Sequence, residues 1–381
     1  MAQTESHQIV LLLDDDEMIT DGLSAGLARA GRTLITCNDL ESAEIVVEWL
    51  KPSHVVSDVR LTGAFGYEGL DFIPFVKRLS PDTRIILMTG DAPDALQREA
   101  SERGAVGFLR KPFDVGELDA VLDMMAPFRI GSPEWPDIIK VPILTEIVRT
   151  GALTTVFQPI VRLASGDHLG YEALTRLVTE SPLRNPETLF GYATRKHQIP
   201  ELEIACMRTS LGSAGPLGGS APLFVNVHPA VFSSELPVHE IILAEAERCG
   251  IATRRLVLEI TEQGSLSHDR RVLTTIRELT AAGVRFAFDD VGVAYSHLPF
   301  LDAVRPSFLK ISQHFGTGFE NDTTKTKIVR NLLALAKDFE CDLIIEGIET
   351  AATAAAAVEM GIKYGQGFHF ARPAPASTFA G

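Results

Sequence analysis

Short apolar runs that end in polar residues recur through the C-terminal two-thirds of the chain, and this pattern limits the possible folds. The strands of a (β/α) barrel all direct their C-terminal ends to one face, so polar residues at those ends line a single pocket. Six runs end in a residue that can bind a metal ion or a proton, and Glu172 is a seventh candidate upstream. The six ends are Asn226, Glu259, Asp289 with Asp290, Lys310, Glu346 and Gln366.

Charged residues also border apolar strands simply because a chain must return to solvent, and that explanation is adequate for any one of these positions. It does not account for acids, amides and a lysine at so many successive strand ends. Helical patterns over 327–337 and 351–360 separate some of the runs, as alternating strands and helices require. The sequence therefore predicts an α/β domain with a TIM-barrel-like (β/α)8 fold and one oxygen-rich site.

A second set of apolar runs with polar ends occupies the N-terminal third. These runs end at residues 14–16, at Asp58 and at Thr89, and a fourth leads from Phe108 to Lys111. Helical patterns fill the gaps, which predicts a doubly wound, five-stranded parallel sheet of the flavodoxin-like type. Its polar residues would then share one edge. Taken separately, the acids at 14–16 could be a helix N-terminal cluster, and the lysine with its following proline a plain turn.

This N-terminal set, from about residue 8 to residue 125, resembles the receiver domain of response regulators. The resemblance implies a phosphoryl acceptor at Asp58, one bound Mg²⁺ or Mn²⁺ ion, and a sensor histidine kinase as partner. A carboxylate accepts a phosphoryl group when a metal ion and a lysine ammonium neutralise the incoming oxygens. The resemblance assigns Asp14 and Asp15 with Asp58 to the metal, Thr89 and Phe108 to the switch, and Lys111 to the phosphoryl group.

Four motifs follow one another in the rest of the chain. They read F-Q-P-I over 157–160, Y-E-A-L-T-R over 171–176, L-E-I-T-E over 258–262 and E-G-I-E-T over 346–350. From about residue 141 onward the chain resembles the EAL domain, the family that hydrolyses the bacterial second messenger cyclic di-GMP. The resemblance implies that cyclic di-GMP is bound and hydrolysed to the linear dinucleotide pGpG with two Mg²⁺ or Mn²⁺ ions.

The EAL resemblance also implies roles for single residues. Asp289 would bridge the two metal ions, and Asp290 would lie at the second as a catalytic group. Lys310 and Glu346 would orient or deprotonate the attacking water, and Glu262 would anchor the loop after Asp290. The ligands of the first ion would be Glu172, Asn226, Glu259 and Asp289. The substrate contacts would be Gln158, Leu174, Arg176, Glu349 and Gln366.

The loop after Asp290 departs from the family pattern. Family members with robust turnover usually read D-D-F-G-T-G-Y-S-S, whereas residues 289–297 read D-D-V-G-V-A-Y-S-H. Both aspartates are retained, so metal binding is expected, but the replaced residues alter what positions the loop. Two functions therefore stay open. One is a phosphorylation-controlled phosphodiesterase, and the other is a catalytically impaired EAL domain that acts as a cyclic di-GMP receptor or protein-interaction module.

The length of 381 residues fits two or three domains. We expect a receiver domain over 1–125, a linker over 126–140 and an EAL domain over 141–381, with an amphipathic helix over 137–149. A net charge of −15 disfavours DNA binding. The polar start and the lack of a long apolar stretch predict a cytoplasmic protein without membrane insertion. The EAL resemblance implies a homodimer or a higher homo-oligomer.

Overall fold

The protein divides into two compact units that interleave along the chain. The structure, a computed structural model, describes residues 7–61, 67–90, 94–124, 136–179, 181–260, 270–292 and 300–380. The first unit comprises Met1–Ala152 and Leu177–His197, and the second comprises Leu153–Arg176 and Gln198–Gly381. Among the described helices, none has the length and apolar character needed to cross a membrane.

The first unit is a parallel sheet flanked by helices. Its strands are β1 (Gln8–Leu13), β2 (Arg32–Cys37), β3 (His54–Asp58), β4 (Arg84–Thr89), β5 (Gly107–Arg110) and β6 (Ile138–Lys140). Across the sheet they lie in the order β5-β4-β3-β1-β2-β6. Its helices are α1 (Glu17–Leu27), α2 (Leu40–Leu50), α3 (Glu68–Leu79), α4 (Asp94–Arg103), α5 (Val115–Met124), α6 (Leu144–Thr150) and α7 (Pro186–Arg195). The five predicted strands are present, and β6 adds a sixth.

Burial on both faces explains why the central strands are largely apolar. Val10 and Leu12 of β1 pack with Val56 of β3 on one face, against Leu23 of α1 and Leu118 of α5. All six residues of β1 are buried, as expected for a parallel strand covered on both sides. The alternation of strand and helix thus places the C-terminal ends of β1, β3 and β4 at one edge of the sheet.

The segment after the first five strands differs from the prediction. The periodicity predicts a helix over 137–149, but β6 occupies 138–140 and α6 begins only at Leu144, so that prediction is wrong for its first half. Pro142 disfavours a helical conformation in the residue before it. In addition, the open edge of β2 binds this segment, since the Leu34 N–H donates to Asp137 O at 2.8 Å. Backbone pairing with the open edge of β2 therefore outweighs the helical periodicity of this segment.

The second unit is a closed barrel of eight strands, which confirms the TIM-barrel-like fold. The strands are β7 (Leu153–Arg162), β8 (His168–Leu177), β9 (Leu223–Val227), β10 (Leu256–Ile260), β11 (Arg285–Val291), β12 (Phe308–Ile311), β13 (Asp342–Ile345) and β14 (Tyr364–Gly365). The helices are α8 (Ile199–Ser213), α9 (Ala230–Ser233), α10 (Val238–Arg248), α11 (Arg270–Ala281), α12 (Leu301–Val304), α13 (Gln313–Gly316), α14 (Thr323–Asp338) and α15 (Ala351–Met360). Strands β8 to β14 pair in parallel, whereas β7 pairs antiparallel with β14.

Large side chains fill the inside of the barrel below its C-terminal ends. Phe224 and Phe308 have ring centroids 5.1 Å apart, and Tyr364 lies beside Phe308. Ile160 and Ile344 complete this buried layer. This layer of the barrel is therefore a packed core.

Candidate active site

The C-terminal ends of successive barrel strands bring the predicted polar residues together. Glu172 lies on β8, Asn226 on β9 and Glu259 on β10, and the register places Asn226 directly beside Glu259. Asp289 follows on β11 and Lys310 on β12. Register partners on neighbouring strands share one face of the sheet, so Asn226 and Glu259 lie on the same face. The site is thus assembled from strands far apart in the sequence.

A buried lysine lies at the centre of the group. The Lys310 side chain is completely shielded from solvent, and its ammonium is within ion-pair distance of four carboxylates. The distances from Lys310 Nζ are 3.4 Å to Glu172 Oε2, 3.0 Å to Glu259 Oε1, 3.2 Å to Asp289 Oδ1 and 2.8 Å to Glu346 Oε1. One positive charge faces four potential negative charges. Such a cluster requires protons or further cations to be stable.

The pKa values reflect this excess of acid. Burial raises the pKa of Glu259 well above its ordinary value and raises that of Glu346 to about 8. Burial would also lower the pKa of Lys310, but the surrounding carboxylates, Asp289 first among them, raise it instead. Burial acts upward on Glu172 as well, yet the lysine and its hydrogen bonds hold the pKa of this carboxyl below its usual value. The carboxylates therefore favour the charged form of Lys310, while burial favours the protonated forms of Glu259 and Glu346.

The acids fit a divalent cation. Glu172, Glu259 and Asp289 each offer an oxygen within 4.8 Å of the others. Both Glu259 carboxylate oxygens and Asp289 Oδ1 are buried and accept no hydrogen bond from the described part of the chain. Their contacts with Lys310 are ion pairs by distance, without hydrogen-bond angles. Buried carboxylate oxygens of this kind are the ligands that Mg²⁺ and Mn²⁺ prefer.

Two amides hold one of the acids in place. Asn226 Nδ2 donates to Glu172 Oε1 at 3.0 Å, and Gln366 Nε2 donates to Glu172 Oε2 at 2.6 Å. Gln366 Nε2 also donates to Gln158 Oε1, and Gln158 donates in turn to the backbone oxygen of Ala371. Each oxygen of Glu172 thus has a defined partner. The predicted residue Gln366 thus fixes the orientation of Glu172, and Gln158 in turn contacts Gln366.

A cavity of about 390 Å³ opens above this group, within the usual size of small-ligand sites. Its lining includes the predicted residues Gln158, Glu172, Leu174, Arg176, Asp289, Asp290, Glu346, Glu349 and Gln366. Glu259 and Lys310 are fully buried and are not part of the lining. The predicted Glu262 lies outside the described residues, as do residues 293–297 of the altered loop.

Residues that the sequence did not predict also line the cavity: Gln313, Gly347, Gly367 and Phe368. Gln313 begins the short helix α13, three positions after Lys310 of β12. Its closeness to the end of a barrel strand is the sequence signal that could have identified it. Half of the Phe368 surface is exposed, and the Arg372 guanidinium carbon lies 4.3 Å from its ring centroid. An exposed aromatic ring held by a cation is suited to stacking on a planar ligand.

The backbone is irregular where the two aspartates meet. Pairing between β11 and β12 shifts register between Phe288 and Val291, and Asp290 has a φ of 54°. A left-handed conformation is costly for a residue other than glycine, and such residues cluster at functional sites. At this irregularity both aspartates line the cavity, and Asp289 also contacts the buried Lys310.

The receiver edge contains a second, smaller cluster. Lys111 Nζ donates to Asp14 Oδ2 at 2.6 Å and lies 3.0 Å from Asp58 Oδ1. Burial is the largest influence on Asp14 and raises its pKa, whereas these two acids raise the pKa of Lys111 against the effect of its own burial. Asp15 is exposed, Thr89 is buried at the end of β4, and Phe108 is half-buried on β5. The structure thus joins Asp14, Asp58 and Lys111 by contact.

Two family models match the chain, one over each group of strands. The family model of the EAL domain matches residues 143–373, which is more than half of the chain. The chain belongs to the EAL family. The model of the response regulator receiver domain matches residues 10–123 of this EAL protein. Both sequence resemblances are thereby confirmed.

Three relatives illustrate the similarity. Cyclic di-GMP phosphodiesterase RocR of Pseudomonas aeruginosa is 25% identical over 327 residues, covering 82% of this EAL protein and 83% of RocR. An uncharacterized protein of Mycobacterium tuberculosis, Rv1354c, is 30% identical over 236 residues, and the chain spans 37% of its length. Among solved structures, the PaMucR phosphodiesterase in complex with c-di-GMP is 25% identical, covers 60% of this chain and 99% of its own, and has a TM-score of 0.53.

Proposed function

We propose that this EAL protein is a response regulator that hydrolyses cyclic di-GMP to pGpG with two divalent cations under the control of phosphorylation at Asp58. The observation that carries the proposal is the buried Lys310 with its four carboxylates beneath an open cavity. RocR and PaMucR, which are named as phosphodiesterases, support the same reaction.

The metal ions would be held by the carboxylates at the strand ends, of which Glu259 and Asp289 have buried oxygens without a hydrogen-bond donor among the described residues. Glu172, Asn226, Glu259 and Asp289 would hold the first ion, and Asp289 with Asp290 the second. When bound, the ions would neutralise the nonbridging phosphate oxygens and lower the pKa of a bound water. Either Mg²⁺ or Mn²⁺ fits a ligand set made of carboxylates and an amide.

The chain's own residues supply the remaining chemistry. Arg176 lines the cavity and would hold a substrate phosphate, since its guanidinium Nη1 is already positioned by a 2.8 Å hydrogen bond to Thr175 O. Glu346, 2.8 Å from Lys310 Nζ and with a pKa raised to about 8 by burial, would take the proton of the attacking water. The water oxygen bonds to phosphorus, one ester P–O bond breaks, and the leaving oxygen takes up a proton. The product is a linear dinucleotide with one terminal phosphate.

The receiver cluster would regulate this reaction. Asp58 would accept a phosphoryl group from a sensor histidine kinase, with a cation held by Asp14, Asp15 and Asp58. Lys111, which now contacts both Asp14 and Asp58, would bind an oxygen of the new phosphoryl group. Thr89 and Phe108 lie on the neighbouring strands β4 and β5, where switch residues would respond to that change.

The test is product formation by the purified protein. With Mg²⁺ or Mn²⁺ we expect pGpG, and with EDTA or in Glu172→Gln we expect none. The exposed acid Glu247 provides a matched control, because Glu247→Gln removes a charge from α10 without touching the cavity. Binding of cyclic di-GMP without any product in the parent protein would contradict the enzyme proposal and favour the receptor alternative.

A further inference from the structure

Helix α7 packs against receiver helix α2, although α7 belongs to the stretch matched by the EAL model. The match covers 143–373, yet residues Leu177–His197 form part of the first compact unit. Within that unit, α7 and the short 3₁₀ helix before it, Pro182–Arg184, both contact α2. A segment of the EAL match is therefore built into the receiver unit.

The contact is charge-complementary. The Lys196 ammonium lies 2.8 Å from Glu41 Oε2 and 3.5 Å from Asp39 Oδ1. Arg195 pairs with Glu48 and lies 3.8 Å from Glu44 Oε2. A basic C-terminal end of α7 thus covers an acidic face of α2. Ion pairs that remain partly exposed contribute little stability singly, but they favour this particular docking position over others.

One buried hydrogen bond anchors the contact. Tyr192 of α7 is fully buried, and its hydroxyl donates to Asp39 Oδ2 at 2.8 Å. The other oxygen of Asp39 accepts the Ser42 N–H at 2.8 Å and caps α2. A single carboxylate thus ends the β2–α2 turn and holds α7. Loss of its partner would leave a buried polar group unsatisfied, so the bond favours one discrete position.

The same turn contacts the receiver cluster. Asn38 Nδ2 donates to Asp14 O at 2.9 Å, and the Asp14 N–H donates to Cys37 O at 3.2 Å. Asp14 in turn accepts from Lys111, which reaches Asp58. A series of contacts, joined by the peptide bond between Asn38 and Asp39, therefore leads from the proposed phosphoryl acceptor to α7. Its members in order are Asp58, Lys111, Asp14, Asn38, Asp39 and Tyr192.

At its other end the segment continues directly into the barrel chain. Arg176, which lines the cavity, is the residue before Leu177, and Glu172 lies on the same strand, β8. After α7 the chain enters α8 at Ile199. A change in the position of α7 must therefore be taken up by the residues that lead from β8 or into α8.

We propose that residues 177–197 couple the receiver to the barrel, with Tyr192 docked on Asp39 in one state and released in the other. Phosphorylation of Asp58 draws Lys111 from Asp14, and the β2–α2 turn then loosens its hold on Tyr192. The strand end at Arg176 shifts as a result. The inference rests on the proposed function, because it requires a phosphorylated receiver and an active barrel. Such coupling requires a structural element with two states whose equilibrium is shifted both by the receiver cluster and by the barrel site.

Tyr192→Phe tests the coupling, because it removes the hydroxyl and keeps the ring. We expect activity without phosphodonor to move toward the parent's phosphorylated value. In the parent, phosphodonor should change the rate of product formation by about 5-fold or more, the lower range of ordinary allosteric coupling. In Tyr192→Phe the same treatment should change this rate by less than about 2-fold. Thr194→Val is the matched control, since the Thr194 hydroxyl donates within α7 to Phe190 O and is exposed. This control should respond as the parent does.

A charge exchange provides the second variant. Lys196→Glu places an acid beside Asp39 and Glu41 and should weaken docking, so its response should also fall. Adding Glu41→Lys restores an opposite-charge pair and should recover at least part of the response, which a merely structural defect would not do. Hydrogen–deuterium exchange of 186–196 should rise in Tyr192→Phe and, in the parent, on phosphodonor treatment.

The outcomes separate the two proposals. If the parent incorporates no phosphate or forms no product, the proposed function fails and the coupling fails with it. If the parent is phosphorylated and active, but Tyr192→Phe keeps the full parental response and unchanged exchange over 186–196, the coupling alone is refuted.

Discussion

Replacing Lys310 by methionine should both destabilise the barrel and stop hydrolysis. The substitution keeps most of the side-chain volume but removes the cation that four carboxylates share. At about 3 Å and an effective dielectric constant near 20, each contact is worth about 5 kcal/mol before the cost of burying the charges. Proton uptake by the acids limits the net loss. Breaking a buried charge pair typically costs about 3 to 5 kcal/mol, which we take as the expected value.

The measurement is the thermal midpoint of the barrel in EDTA at neutral pH. Both tryptophans of the chain, Trp49 and Trp135, precede the barrel in the sequence, so calorimetry is preferable to tryptophan fluorescence. For a unit of this size we expect the midpoint to fall by about 6 to 20 °C. Because the pKa values of Glu259 and Glu346 are raised, protonation at lower pH should relieve the repulsion. The difference from the parent should therefore shrink as the pH falls.

Lys327→Met serves as the control, because Lys327 is exposed on α14. Its removal should change neither the thermal midpoint nor product formation. Product formation is measured on the same samples with Mn²⁺ added. A Lys310→Met protein that melts within about 2 °C of the parent in EDTA would refute the electrostatic argument. Undiminished turnover in that variant would refute the catalytic role of the lysine.

Three further outcomes are expected. Asp58→Asn should take up no phosphate from a small phosphodonor that labels the parent, and equal labelling would show that the acceptor is another residue. Burial raises the pKa of Glu203 from 4.5 to about 8, so the folded state binds the proton more tightly and the stability contributed by this group is lost as the pH rises from about 4.5 to 8. The thermal midpoint of Glu203→Gln should therefore rise relative to that of the parent as the pH increases over this range. A difference between the two midpoints that does not change with pH would exclude Glu203 as the titrating group. Restoring the family pattern with Val291→Phe, Val293→Thr and Ala294→Gly should raise product formation without phosphodonor, whereas unchanged rates would show that these replacements are silent.

Much of the barrel site was predictable because the order of the strands along the chain and the residues at their ends can be read from local sequence patterns. Asn226 and Glu259 follow apolar runs that are consecutive strands, so their adjacency needs only the barrel topology. The same reasoning places Asp58 at the end of β3 and Thr89 at the end of β4. The roles of these residues, and the division into 1–125, 126–140 and 141–381, stay predictions.

Other features depend on partners that the local sequence does not identify. A three-residue strand such as β6 has no periodicity of its own, and it forms because the edge of β2 has unpaired backbone groups. Gln313 and Phe368 reach the cavity through short connections whose paths depend on what they pack against. Helical periodicity identifies α7 as amphipathic at most, and says nothing of which helix will cover it.

The sequence by itself determined the two α/β folds and the polar residues at the strand ends of each unit. Both follow from the alternation of apolar runs and helices along the chain. Only the tertiary structure decided that a single buried ammonium contacts four carboxylates, and that Tyr192 reaches Asp39 across 153 positions. Distances and burial arise when the strands close into a barrel and the helices pack. They also set the charge balance, since the free energy of an ion depends on its surroundings and not on its place in the chain.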